Sequence, residues 1–170
     1  TLQLSGGFTV SGKTITINGA GTGSAGALSS VGGSNNWAGN VILGSSAARI
    51  GTTTSGTTFT ISGVISDGGL GFDLAIRNAN GVTGTVLLNA ANTYRGNTQI
   101  VVGTLQLGAN NTLPNTSVLM GNNAGQGTTT LDLNGFNQTV AGVASVASNA
   151  VAANVINSSA TTSTLTIAVN

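Results

Sequence analysis

The chain has 170 residues, enough for one domain with a sizeable core, yet only 4 % of them are charged: Lys13, Arg49, Arg77, Arg95, Asp67, Asp73 and Asp132. With no His, no Cys and a net charge of +1, the composition excludes a disulfide framework, a thiolate metal site and the basic footprint of a nucleic-acid or anionic-membrane binder. Gly and Ser are abundant, but the dense Leu, Ile and Val, placed with period two, argue against a disordered linker.

One small unit recurs along the chain: Thr, apolar, any residue, apolar, then a small or turn residue. It reads TLQLSG from Thr1, TITING from Thr14, TFTISG from Thr58 and TVLLNA from Thr85, then TLQLGA from Thr104, TLDLNG from Thr130 and TLTIAV from Thr164. The apolar pairs are Leu2/Leu4, Ile15/Ile17, Phe59/Ile61, Val86/Leu88, Leu105/Leu107, Leu131/Leu133 and Leu165/Ile167. Two positions apart, each pair should line one face of a strand. The β-branched Thr suits the outer face, and the following Asn or Gly can turn the chain. VIL at Val41–Leu43, FDLAI at Phe72–Ile76 and SVLM at Ser117–Met120 supply further strands. The Ala-rich stretch Ala141–Ile156 is open to a helical reading. Gly142, Ser145, Ser148, Asn149 and Asn154 interrupt it, and strand-and-turn is preferred.

A run of alternating strands would aggregate through its edges unless each is covered. Stacking short coils covers them, leaving open edges only on the first and last coil. The expected fold is therefore all-β, a right-handed parallel β-helix (β-solenoid) of short strands, with residues 1–170 forming a single segment. Coils of roughly 20 residues with loops of variable length fit the spacings. Asn and Thr at equivalent positions, such as Asn92 and Asn134, are expected to stack as ladders that satisfy buried amides. No segment has the roughly 18 consecutive apolar residues of a spanning helix. The chain starts with TLQL rather than Met and shows no signal peptide, so it is expected to be a segment of a longer polypeptide or a processed product.

The string NTYRGNTQIVVGTLQL, Asn92 to Leu107, resembles the autotransporter-associated β-strand repeat, also called the passenger-associated transport repeat. That family's pattern is similar to N-T-Y-T-G-G-T followed by G-T-L-Q-L; here Arg95 and Asn97 replace the commoner Thr and Gly. TLDLNGFNQTVAGV, Thr130 to Val143, resembles the family's continuation, and SGKTITINGAG and SNNWAGNVIL resemble flanking sequence in multi-repeat members. The best match covers 91–143. The resemblance implies a right-handed β-helix in the passenger region of a secreted or outer-membrane-anchored bacterial surface protein, with a role in export and folding outside the cell. It carries no catalytic, cofactor-binding or metal-binding residues.

β-Helices also host polysaccharide-cleaving enzymes, which need paired carboxylates or carboxylates with a metal. Asp67 and Asp73 lie six apart around GGLGF with Arg77 behind them. They form either an acid/base pair or, the preferred reading, a turn in which Asp67 bonds backbone groups beside an Asp73–Arg77 surface pair. Asp132, between Leu131 and Leu133, should face outward. GGLGFD at Gly68–Asp73 is faintly similar to one calcium nonapeptide, but calcium β-rolls need successive copies. SGKT around Lys13 is not read as a phosphate loop, because the helix that must follow such a loop is missing. Tyr94 and Trp37 are read as packing residues, with sugar stacking as the functional alternative. The expected function is a stiff structural spacer or scaffold, not an enzyme. Its partners would be neighbouring repeats or identical chains end to end, with a glycan or cell-surface ligand as the adhesin alternative. The long Gly19–Asn36 loop would present such a ligand, and the open edges Leu2–Leu4 and Leu165–Val169 would join a self-assembling fibre.

Overall fold

A computed structural model describes residues 1–22, 26–121, 127–146 and 152–168. The strands follow in the order β1 (Leu2–Ser5), β2 (Thr9–Val10), β3 (Ile15–Ile17), β4 (Leu28–Gly32), β5 (Asn36–Trp37), β6 (Val41–Leu43), β7 (Ala48–Thr52), β8 (Thr58–Ile61) and β9 (Ile65–Ser66). They continue with β10 (Leu74–Arg77), β11 (Thr85–Leu88), β12 (Thr98–Leu107), β13 (Ser117–Met120), β14 (Thr129–Asp132), β15 (Gln138–Val140), β16 (Gly142–Ser145), β17 (Ala153–Ile156) and β18 (Leu165–Ile167). Among the described residues there is no α-helix, and no helix is long and apolar enough to cross a membrane. Strand-and-turn therefore holds for the described parts of Ala141–Ile156. Ser148 and Asn149 lie outside the described residues, as does Val169.

Every strand pairing is parallel, and the chain winds as a β-solenoid of about six turns. One face is β1-β4-β7-β10-β12-β13-β16. The second is β2-β5-β8-β11-β12-β14-β17. The long β12 serves both, bending at Gly103, where φ is +98°. The third face is interrupted: β3-β6-β9 covers the first coils and β15-β18 the last. Register partners in successive coils lie from 19 residues (Thr85 to Thr104) to 27 residues (Thr58 to Thr85) apart.

The core is the stack of inward rows. Leu28, Ile50, Ile76, Ile100 and Met120 align in register on the first face, and Phe59, Val86, Leu105 and Leu131 on the second; all are buried. Each buried aliphatic side chain contributes roughly 1.5–3 kcal/mol, against the entropy of ordering the coil. Rows end where the stack ends. Val155 continues the Leu131 row, and Ile167 pairs with Val140, yet they are 42 % and 46 % exposed. Leu2, at the other end, is 39 % exposed. For the terminal coils, then, alternation marks the inward face without guaranteeing burial: Leu4 is buried but Leu2 and Ile167 are not, because only one side has a neighbouring coil. The Gly19–Asn36 loop also needs correction: it contains β4, whose Leu28, Ser29 and Ser30 are buried.

Coils approach most closely at the turn between the second and third faces. A Cβ on Gly39 would strike the Lys13 carbonyl, and one on Gly63 would strike the backbone of Gly39 and Asn40. Backbone cannot yield as a side chain tip does, so Gly63→Ala is expected to cost about 1–3 kcal/mol. At about 2–4 °C per kcal/mol for a chain of this size, the melting temperature should fall measurably in a calorimetric scan. Gly142→Ala, whose added carbon meets only Ser117 Oγ at 3.6 Å, is the neutral control.

Candidate functional site

The family-like segment Asn92–Thr98 occupies the gap in the third face. Where a strand would stand, Asn92 links three coils. Its side-chain Oδ1 accepts the Ile65 N–H of the preceding coil at 2.7 Å. Its Nδ2 donates to the Thr112 carbonyl of the following coil at 2.9 Å, and its own backbone N–H donates to that same oxygen. One coil further on, Gln138 repeats the device: Oε1 accepts the Leu113 N–H and Nε2 donates to the Leu113 carbonyl, both at 3.0 Å. A side-chain amide carries the same donor and acceptor as a peptide unit. Two such amides therefore close the ladder across two coils that lack a strand there, and buried backbone groups are not left unmade.

The other motif residues pack this bridge in place. Tyr94 is buried in the core, its hydroxyl 2.6 Å from Thr98 Oγ1. Burial raises its pKa far above the ordinary phenol value. Gly96 sits against the backbone of Phe72 and Asp73, where a Cβ would collide. Arg95 and Asn97 point their backbone N–H groups at the preceding turn, and two carboxylates receive them.

Those carboxylates are Asp67 and Asp73. Asp67 Oδ2 accepts from the N–H of Arg95, Gly71 and Phe72 at 3.0, 2.7 and 3.0 Å, and its Oδ1 from Gly69 at 2.9 Å. Burial alone would raise its pKa; these backbone donors outweigh that and hold it below the ordinary carboxylate value. Asp73 accepts the Asn97 N–H through Oδ1 and the Gln99 side-chain amide through Oδ2. The turn reading of Asp67 is thus correct. The expected Asp73–Arg77 surface pair is replaced: Asp73 serves Asn97 and Gln99, while Arg77 is buried and donates to Asn80 Oδ1 at 3.2 Å.

Asp132 does sit on the outward side of its strand, but it is only 3 % exposed. Ser158 of the next coil covers it, donating through both hydroxyl and backbone N–H, and Gln106 and the Asn134 N–H add two more bonds. Burial would raise its pKa, and these four donors lower it below the usual value. Both aspartates therefore bind protons more weakly folded than unfolded. Their stabilisation is complete above the unfolded carboxylate pKa, about 3.9, and is lost as pH falls through their lower folded values. The melting temperature is expected to be flat from neutral pH down to about 5 and to drop on further acidification; Asp132→Asn should flatten that acid limb in a pH series of thermal scans.

Trp37 is buried among the core residues, 4 % exposed, and its Nε1 has no partner. The ring therefore offers no face to a sugar, which removes the stacking role considered for it. Asn134 takes a left-handed φ of 49° and donates to the Leu107 carbonyl. The expected ladder is thus real in kind but different in form: these amides bond backbone of a neighbouring coil rather than each other. Asn35 and Asn78 do the same at the corner between the first two faces. Asn35 takes the N–H groups of Gly7 and Phe8, and Asn78 takes that of Thr52. The sequence singled out neither, although each precedes or follows a strand by one residue. A hollow of about 270 Å³ beside Val82, Val102, Gly103, Thr104, Thr128 and Thr130 has no titratable side chain in its lining. No group of three or more metal-ligating side chains occurs among the described residues. Comparison with protein-family models, curated proteins and solved structures finds no match.

Proposed function

We propose that this chain is a structural module, a stiff spacer or scaffold within a surface-exposed or secreted bacterial protein of the autotransporter type. The observation that carries the proposal is the stack itself. On the first two faces rows of core side chains run in register through successive coils, and apolar positions stay open at the ends of the stack, at Leu2 on one side and Val155 and Ile167 on the other. Apolar rows left open in this way accept a further coil, so the module is suited to continuing a longer rod. The resemblance of Asn92–Leu107 and Thr130–Val143 to the passenger repeat supports the surface setting. Within those segments the side-chain amides of Asn92, Gln99 and Gln138 bond one coil to another, which is what a repeat that folds coil by coil needs. Folding outside the cell in this order would bias export outward.

The test is protease treatment of intact source cells followed by peptide analysis of the released material. Release of peptides from this segment, from a polypeptide many times its mass, is the expected result. Retention inside the cell would sink the surface reading. A second reading, an end-to-end fibre of identical chains, is favoured by the same open coils. It requires a native polypeptide near 16.4 kDa and filaments in electron micrographs of the purified protein.

A further inference from the structure

We propose that Asn80 is a modification site, the position at which this chain converts an asparagine to aspartate and isoaspartate without an enzyme. Three Asn-Gly pairs occur: Asn18-Gly19, Asn80-Gly81 and Asn134-Gly135. The reaction starts when the glycine nitrogen loses its proton to solvent base and attacks the asparagine Cγ. The new C–N bond forms as the Cγ–Nδ2 bond breaks and ammonia leaves. Water then opens the succinimide at either carbonyl. One water is consumed, one ammonia released, and the chain gains one negative charge.

The fold treats the three pairs differently. The Gly19 N–H is held by Ser45 Oγ at 2.8 Å, and the Gly135 N–H by Asn157 Oδ1 at 2.8 Å. At Asn134 the leaving nitrogen is also engaged, on the Leu107 carbonyl. A nitrogen that donates a hydrogen bond neither loses its proton readily nor turns toward Cγ. The Gly81 N–H makes no hydrogen bond among the described residues, and both Asn80 and Gly81 are exposed at the tip of a turn closed by Val82 N–H to Ala79 O. The Arg77 guanidinium donates to Asn80 Oδ1. That bond draws electrons from Cγ and stabilises the oxyanion that forms on attack. The free nucleophile and the polarised carbonyl meet only at this pair. The product carboxylate would stand beside Arg77 as an ion pair.

The whole purified chain is aged at mildly alkaline pH and mapped by peptide mass spectrometry. Asn80 is expected to convert at least about tenfold faster than Asn18 and Asn134, the factor one net hydrogen bond represents. Isoelectric focusing should show the matching acidic species. In urea the three rates should converge. In the folded chain Asn157→Ala, which frees the Gly135 N–H, should accelerate Asn134. Equal rates at the three sites in the folded chain, or an intact Asn80 while another site converts, would overturn the proposal. An unchanged Asn134 rate in Asn157→Ala would refute the protection argument.

Discussion

Leu105→Asp is expected to unfold this chain. Leu105 is fully buried, in register between Val86 and Leu131, which are equally buried. Removing a buried Leu costs about 2–5 kcal/mol in lost contacts and cavity. The carboxylate put in its place has no donor on the inward face, and burying it unpaired adds several kcal/mol more, even after it neutralises by binding a proton. Together these match the whole stability of an ordinary domain, about 5–15 kcal/mol. Far-UV circular dichroism should show the parallel β signal lost at room temperature. Thr104→Asp, one residue earlier on the outer side, should keep the fold. If export depends on coil-by-coil folding, the Leu105 variant should also slow surface display; display at the wild-type rate would refute that ratchet.

Asn92→Leu is the second large effect. Leucine fills the same volume but leaves the Ile65 N–H without an acceptor and removes one of two donors from the Thr112 carbonyl. An orphaned buried amide costs about 1–3 kcal/mol, and the lost amide bond adds to it. A fall of about 2–4 kcal/mol corresponds to roughly 5–15 °C in melting temperature. Asn134→Ala should cost less, because its side chain is half-exposed and makes one such bond, to the Leu107 carbonyl. A melting temperature unchanged in Asn92→Leu would show that the third face is held by something else.

Strand positions were legible because their cause is local. Alternation with period two and Gly or Asn at each end place Phe59/Ile61, Val86/Leu88, Leu105/Leu107 and Leu131 in strands, and all are in the core. The faces were not legible. The same Thr-apolar unit lies on the first face at Leu2–Leu4, the second at Phe59–Ile61 and the third at Ile15–Ile17. A unit that recurs on different faces sets no register; coil lengths do, and they vary with the turns. The carboxylates were placed by turn chemistry at Asp67, where flanking glycines supply N–H donors. At Asp73, and at Asp132 apart from the nearby Asn134 N–H, the partners lie 24 to 26 residues away, in another coil, and no local pattern marks them. Asn92 carried the one legible sign, its place at the head of NTYRG. Gln138 carried the weaker sign of lying in NGFNQTV.

Side-chain amides stand in for a strand where the third face is interrupted. Amide hydrogen exchange at Ile65 and Leu113 reads these bonds, because among the described residues their N–H groups donate to Asn92 Oδ1 and Gln138 Oε1 alone. Both should exchange as slowly as amides within β8 and β11, and Asn92→Leu should release Ile65 while leaving Leu113 protected. Exchange of both at the rate of exposed loops in the wild-type chain would show that these amides do not hold the third face.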